Sequence, residues 1–358
     1  MNIRQTSRSI SDLPVGRQGA KVFVGLSGGV DSAVSAALLK QAGYDVTGIF
    51  IKTWSPDFIT CTWREERRDA MRVAAHLDIP FLFFDFEEEY KKGVAEYMIE
   101  EYRKGRTPNP DVMCNRVVKF GAFWKKAKEM GADFIATGHY AQTDGASLKE
   151  GMDKEKDQSY FLWMLTQDDL SHTLFPVGHL EKKEVRRLAK QFGLPVSEKK
   201  DSQGICFLGD VDIEEFLSHF IDLRKGSVLD TGGEVIGTHN GALLYTLGER
   251  HGFEITRKTS DSKPYFVIGK NLERNTITVS DKPAEIALHS PRSMPIKDMN
   301  RIHDPLAEAE ARIRYRQEKF AVEIHENEVI FEAPQTAAPG QSIVFYKGVE
   351  CLGGAIMA

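Results

Sequence analysis

KVFVGLSGGVDSAVSAALLKQAG, residues 21–43, carries the reading of the fold. KVFVGLS (21–27) is apolar enough for a parallel strand covered on both faces. SAVSAALLKQAG (32–43) has the texture of a helix and stops at Gly43, a common C-terminal stop. Between them lies Gly25-Leu26-Ser27-Gly28-Gly29-Val30-Asp31-Ser32. Glycines there let the backbone turn tightly and approach a ligand. A helix start aims free N–H groups and the positive end of its dipole at an anion. Ser27 and Ser32 add hydroxyl donors. The stretch is not a Walker A loop, because no Gly-Lys-Ser/Thr closes it, and it is not GxGxxG.

Further along, YDVTGIFIKTW (44–54), FLFFDF (81–86) and DFIATGHYA (133–141) read as strands. They alternate with helical patterns at 64–78, about 87–103 and near 116–130. This alternation predicts an α/β fold with a doubly wound, mostly parallel sheet. Ligands in such sheets sit at the carboxyl ends of the strands. From 142 to 210 the pattern is mixed, with a polar loop at 149–158 and a basic helix around 181–192. Short β-like runs between glycine turns follow, and the segments after Pro283 alternate like a small barrel or sandwich. The expected organisation is a polar tail 1–20, a catalytic domain 21–210, a small β-rich domain 211–286 and a C-terminal β-barrel 287–358.

The 358 residues are 41% hydrophobic and 28% charged, with a formal charge of −5. That excludes a uniformly basic nucleic-acid coat but allows a local basic face. No apolar run approaches the roughly 20 residues of a membrane span. The polar start lacks the apolar core of a secretion signal. A cytoplasmic protein without membrane contact is expected. The four cysteines, Cys61, Cys114, Cys206 and Cys351, are too few and scattered for a disulfide scaffold. No CxxC pair suggests a zinc ribbon.

Two cysteines sit in loop-like settings. Cys114 follows Thr107-Pro108-Asn109-Pro110-Asp111. The prolines argue against a helix through that stretch, so a helix is expected to begin near Asn115. The Cys114 thiol would then feel the positive end of the dipole, which lowers a thiol's pKa. Asp111 could accept or relay a proton. Cys206 lies in DSQGICFLG (201–209), after Lys199-Lys200. Flanking glycines suggest an exposed, mobile loop, and the lysines would favour a thiolate. Cys61 and Cys351 read as structural. Asp31 would be a poor phosphate ligand without an intervening cation, which suggests Mg2+ arriving with a pyrophosphate group; the protein alone fixes no metal.

The loop from Ser27 to Ser32 resembles the pyrophosphate (PP) loop of the N-type ATP pyrophosphatases. A more specific resemblance covers the chain from about residue 21 onward. PNPDVMCNRVVKFGAF (108–123), ATGHYA (136–141), KDQSYFL (156–162), FPVG (175–178), DSQGICFLG, LYTLGERHGF (244–253), RIRYRQ (312–317) and APGQS (338–342) with CLGG (351–354) occur in the order seen in the bacterial tRNA-specific 2-thiouridylases, the MnmA family. The resemblance implies that ATP adenylates the C2 oxygen of a wobble uridine in tRNA. A persulfide on Cys206, loaded by a sulfur-relay protein or a cysteine desulfurase, then supplies sulfur. Cys114 matches the second, nucleophilic cysteine, able to form a disulfide with Cys206, and Asp111 matches the acid/base.

Residue by residue, Gly25 to Ser32, Ile51 and Gly138 match ATP-binding positions. Asn109, Pro110 and Asp111 match the segment around a flipped target base; Lys156, Asp157, Gln158, Arg314 and Tyr315 match other tRNA contacts. Ile51 replaces a common Met, Glu249 a usual Gln, and His251 a common Lys. The basic run Lys182, Lys183, Arg186, Arg187, Lys190, Lys199 and Lys200 reads as a solvated face or, with the resemblance, as a tRNA-backbone surface. His139 reads as structural or adjacent to the nucleotide. A PP-loop amide or C–N ligase and a tRNA-binding protein without chemistry are the competing readings. An iron–sulfur cluster is disfavoured against persulfide chemistry. A monomer is expected.

Overall fold

The computed structural model describes residues 19–59, 63–201, 204, 206, 211–256, 263–303 and 308–358. Cys61 and most of the expected 1–20 tail lie outside the described residues.

Four strands, β1 (Lys21–Gly25), β2 (Asp45–Lys52), β3 (Phe81–Asp85) and β4 (Phe134–Ala136), form a parallel sheet in the order β3-β2-β1-β4, extended past β4 by Thr173–Leu174. Val22, Phe23 and Val24 of β1 are fully buried, as a central parallel strand requires. The strand order reverses between β1 and β4, so the crevice for a ligand opens at their carboxyl ends. Helix α1 (Val30–Gln41) buries Ala33, Val34, Ala36 and Leu39 beside the helix Lys182–Gln191. Helix α2 (Trp63–His76) presents Ala70, Val73 and Ala74 to the same core.

The other face carries the helical segments 87–103 and 110–129. Each contains a π-helical stretch, Lys91–Ala95 and Asn115–Ala122. They cross so closely that a Cβ on Gly93 would lie 2.7 Å from Val117 Cγ1. π-Helical turns often accompany functional sites, and the second follows Cys114 directly.

The start of that second segment corrects an expectation. The helix begins at Pro110, not near Asn115. Pro110 occupies the first turn, where its missing N–H costs nothing. Asn109 caps it, its Oδ1 accepting from Val112 N at 3.3 Å. Cys114 is therefore a buried residue of the second turn.

A five-stranded sheet follows, ordered Phe253–Ile255, Val235–His239, Gly226–Leu229, Thr276–Ser280, Phe266–Asn271, around Val228, Val267 and Ile277. The last six strands are Ser293–Arg301, Glu308–Arg312, Phe320–Ile324, Glu328–Phe331, Ser342–Lys347 and Glu350–Met357. They pair in the order first, fourth, third, second, fifth, sixth, and the sixth pairs back on the first to close a barrel. The hairpin Ala141–Thr143 and Leu148–Glu150 adds to the barrel's last strand, pairing Leu148 with Cys351. The sequence reading took 149–158 as loop, but its first residues are strand, because this edge pairs with chain two hundred residues away. Among the described residues no helix is long and apolar enough to cross a membrane.

Candidate active site

Beyond β1 the chain leaves the sheet without losing its ladder, since Leu26 N donates to Ile49 O at 2.7 Å. Gly28 then adopts φ +75°, and a Cβ there would lie 2.4 Å from the carbonyl oxygen of Glu66. Conformation and space both demand glycine. Gly29 is the N-cap of α1 and contributes no side-chain cap. Ser27 N donates to Ser32 Oγ at 3.2 Å, and Gly29 N to Ser27 Oγ at 3.3 Å. The two hydroxyls, 3.2 Å apart, line the loop. A Cβ on Gly138, just past β4, would lie 2.7 Å from Ser32 N, so this glycine lets β4's exit pack against the helix start. Ile51 is buried near the end of β2.

Asp31 does not stand alone. Tyr140 donates to its Oδ1 at 2.7 Å, and Lys182 Nζ reaches both oxygens at 2.7 and 2.8 Å. Burial and the neighbouring Asp31 push the Tyr140 phenol up, which keeps it a donor. Lys182 also meets Asp201 at 2.9 Å, and Asp201 binds Lys156 at 2.8 Å and Arg186 at 2.5 Å. Against the upward push of its burial, Lys156 and Lys182 hold the Asp201 carboxyl well below the usual carboxylate range. Only part of the basic run, Lys182, Arg186 and Lys199, is turned toward the molecule, while Lys183, Arg187 and Lys190 stay on the exposed face. Besides Lys182 and Arg186, Arg187 pairs with Glu184, Lys190 with Glu198 and Lys199 with Asp69.

The two candidate cysteines, 92 positions apart in sequence, meet with sulfurs 3.4 Å apart. Cys206 is held on both sides of its backbone. Its N–H donates to Asp111 Oδ1 at 2.9 Å, and its carbonyl accepts from Tyr90 Oη at 2.8 Å. Burial in the helix pushes the Cys114 thiol up, the reverse of the dipole effect expected for a thiol at a helix start. The hydrogen bond from Cys114 and the nearby Lys119 pull the Cys206 thiol down. The cation favouring the Cys206 thiolate is therefore Lys119, while Lys199 is engaged elsewhere. Burial raises Asp111, which suits a group that shuttles a proton.

His139 is buried and pushed well below its ordinary value by burial and by Lys119. It stays neutral, with Nδ1 2.7 Å from Thr137 Oγ1 and Nε2 3.5 Å from Lys119 Nζ. Residues 137–139 thereby join the two halves of the site. Gly138 lies against the phosphate loop, and His139 reaches the lysine beside the thiols.

The expected tRNA positions divide. Asn109 and Pro110 start the helix that carries Asp111 and Cys114. Asp157 is 4% exposed and accepts from Gly151 N, Ser159 N and Arg312, so its carboxylate braces the barrel. Gln158 Oε1 accepts from Tyr140 N at 3.0 Å. Arg314 donates to the carbonyls of Leu247 and Thr336, clipping the middle domain to the barrel. Tyr315 packs its ring 4.8 Å from that of Phe161. Lys119 and Tyr90 escaped sequence reasoning. A lone lysine inside the apolar run VVKFGAF was the available signal for the first; nothing marked Tyr90.

Asp31 offers one carboxylate at the phosphate loop. Mg2+ carried by phosphates takes one or two such ligands, so Asp31 fits once Lys182 yields. The donors around Cys206 are two thiols and the Asp111 carboxylate, a set that does not fit a cluster held by three cysteines. Among the described residues no group of three or more His, Cys, Asp or Glu is arranged to hold a metal ion.

Comparison with known proteins gives matches from residue 20 to residue 357. Residues 20–210 match the family described as tRNA methyl transferase HUP domain, 214–281 the tRNA methyl transferase PRC-barrel domain, and 285–357 the aminomethyltransferase beta-barrel domain. The tRNA-specific 2-thiouridylase MnmA of Streptococcus thermophilus is 45% identical over 360 residues, spanning 94% of this chain and 95% of its own. That of Geobacillus thermodenitrificans is 45% identical over 350 residues, spanning 93% of each chain. Among solved structures, the U34-tRNA thiolase NcsA from Methanococcus maripaludis with its 4Fe-4S cluster aligns loosely, with a TM-score of 0.36 and 21% identity over 57% of this chain and 64% of that chain. With relatives this similar along nearly the full length, the chain belongs to the tRNA-specific 2-thiouridylase (MnmA) family.

Proposed function

We propose that the protein is an ATP-dependent tRNA uridine 2-sulfurtransferase that works through a persulfide on Cys206. The observation that carries this reading is the contact of the Cys114 and Cys206 sulfurs at 3.4 Å, one strand end away from the phosphate loop. A C–N ligase has no use for that contact.

The loop from Gly25 to Ser32 would hold the ATP phosphates, and Ile51 and Gly138 would border the nucleotide. Mg2+ bound with ATP would neutralise phosphate charge. The uridine C2 oxygen attacks the α-phosphorus, and the bond to pyrophosphate breaks. Adenylation turns a poor leaving group into AMP. The outer sulfur of the Cys206 persulfide adds at C2, and AMP departs with the former C2 oxygen. Cys206 is then linked to C2 through an S–S bond. The Cys114 thiolate attacks the Cys206 sulfur, forming a Cys114–Cys206 disulfide and leaving sulfur on C2 as 2-thiouridine. An external dithiol returns the pair to thiols.

Asp111, whose carboxylate accepts from the Cys206 N–H, would take the Cys114 proton, which burial makes hard to lose, and Lys119 would steady negative charge on Cys206. Asn109 and Pro110 would flank the target base, and Lys156, ion-paired to Asp201, and Arg314 are the expected tRNA contacts that carry a cation. tRNA and a sulfur-donor protein are the partners this chemistry requires. The test is mass spectrometry of nucleosides from tRNA incubated with ATP, a persulfide source and the protein. 2-Thiouridine is expected with the native chain. Cys114→Ser or Cys206→Ser should abolish it, and a serine variant that thiolates as well as the native chain refutes the reading.

A further inference from the structure

The loop from Gly25 to Ser32 holds no lysine or arginine, and its one charged side chain is the Asp31 carboxylate. A triphosphate seated there meets N–H groups and hydroxyls, and the cation that offsets its charge has to come from another element. Lys182 supplies one. Its Nζ lies 2.7 and 2.8 Å from the Asp31 oxygens, in the first turn of α1, and 2.9 Å from Asp201. The side chain is only 13% exposed. Its backbone N–H donates to Asp153 Oδ2 at 2.9 Å, so the ammonium moves from a fixed root. The same Nζ is 5.7 Å from the ring of Tyr140, in the exit from β4, and Tyr140 donates to Asp31 as well. Ile51, read as a border of the nucleotide, belongs to β2, on the opposite side of β1. A nucleotide with its base toward β2 therefore crosses the start of α1 and brings its outer phosphates to Lys182.

We propose that Lys182 is a further catalytic residue, the cation that binds the β- and γ-phosphates and stabilises pyrophosphate as it leaves. This rests on the reading of residues 25–32 as the ATP site. As the uridine C2 oxygen bonds to the α-phosphorus, the bond from that phosphorus to the bridging oxygen breaks. The electron pair stays on the departing pyrophosphate, and the charge gained there faces the ammonium, which transfers no proton. A cation aimed at charge that grows in the transition state speeds the step more than it tightens the ground state. Asp31 and Asp201 hold the ammonium at the edge of the loop, and phosphate oxygens compete with them for its N–H groups. Loss of the Asp201 charge therefore leaves Lys182 more available to phosphate, whereas loss of the lysine turns two carboxylates on the phosphates.

The experiment is calorimetric titration of the full chain with Mg-ATP, inorganic pyrophosphate and AMP, beside tRNA-dependent pyrophosphate release. Lys182→Met should weaken Mg-ATP and pyrophosphate about tenfold, the scale of one charged hydrogen bond, and leave AMP within about twofold. Its kcat for pyrophosphate release should fall about a hundredfold. Lys182→Arg, which keeps the cation, should recover most of the pyrophosphate affinity. Asp201→Asn, which breaks the same ion pair but keeps the lysine, should bind Mg-ATP at least as tightly as the native chain. A Lys182→Met chain that binds pyrophosphate like the native one overturns the inference and leaves the function intact. So does an equal loss of AMP and pyrophosphate, and so does an Asp201→Asn chain that loses as much Mg-ATP affinity as Lys182→Met, since the lysine is then a strut. A native chain that binds neither Mg-ATP nor pyrophosphate overturns the nucleotide site and this role together. Where the Met variant fails to fold, Asp201→Asn decides: weaker Mg-ATP binding refutes the role, and equal or tighter binding supports it.

Discussion

Lys119 is the residue whose loss should separate the sulfur chemistry from the fold. It lies among Cys114, Cys206, Asp111 and His139 and favours negative charge on Cys206. Lys119→Met removes that stabilisation, so the Cys206 thiol should titrate at higher pH. We expect the midpoint of its alkylation profile to rise by about one unit, equivalent to roughly 1.4 kcal/mol, with Lys119→Arg restoring most of the shift. The sign is fixed: a removed cation can only raise a thiol's pKa. An unchanged profile would show that the hydrogen bond from Cys114 sets the pKa alone. The thiol pair makes a second prediction. The sulfurs are in contact at 3.4 Å and need only a small approach to reach the roughly 2.05 Å of a disulfide. Mild oxidation with diamide should link Cys114 to Cys206 and leave the buried Cys351 free, as peptide mapping would reveal. The pairing itself could not be read from the sequence, because two cysteines in separate segments carry no record of distance.

Among elements, the phosphate loop and the capped helix at Pro110 decide the site. Gly28→Ala must place a Cβ 2.4 Å from the Glu66 carbonyl at a positive φ. We expect it to destabilise the fold by about 1–3 kcal/mol in denaturant titration and to weaken nucleotide binding as the loop shifts. The sequence disclosed this loop because its chemistry is local: glycine, hydroxyl and helix start are neighbours in the chain. The Pro110 helix was misread for the opposite reason. Two prolines in four residues suggest extended chain, yet one proline at the first helical position is compatible with a helix, and only packing of the segment against 87–103 decides between them. Asn109→Ala should cost about 1 kcal/mol through loss of the cap, and any larger fall in thiolation would measure how far Asp111 and Cys114 depend on that start.

On the scale of the whole molecule, the hairpin 141–150 and the loop behind it join the catalytic domain to the barrel. Arg312 bridges Glu150 at 2.8 Å and Asp157 at 3.1 Å, both acids more than nine-tenths buried. Arg312→Ala should destabilise the protein by about 3–5 kcal/mol, since a buried charge is left without its partner. Thermal unfolding would detect it as a lower midpoint. Loss of less than 1 kcal/mol would mean that Lys319, 3.2 Å from Glu150, compensates. Asp157, expected from the sequence as a tRNA contact, thus has a structural duty in this chain.

What the sequence determined alone was everything written in consecutive residues: the parallel α/β unit, the anion loop after β1, the change to β structure beyond residue 220, and the family through motifs in order. Tertiary structure decided what depends on distance between remote segments. It brought Cys206 onto Cys114, gave the supporting cation to Lys119, and turned Lys182 from a surface charge into a bridge between Asp31 and Asp201. The reason is physical. Strand and helix patterns are set by periodicity within a few residues, whereas a thiol's charge and a lysine's partner are set by burial and by whichever groups the folded chain places within a few ångströms.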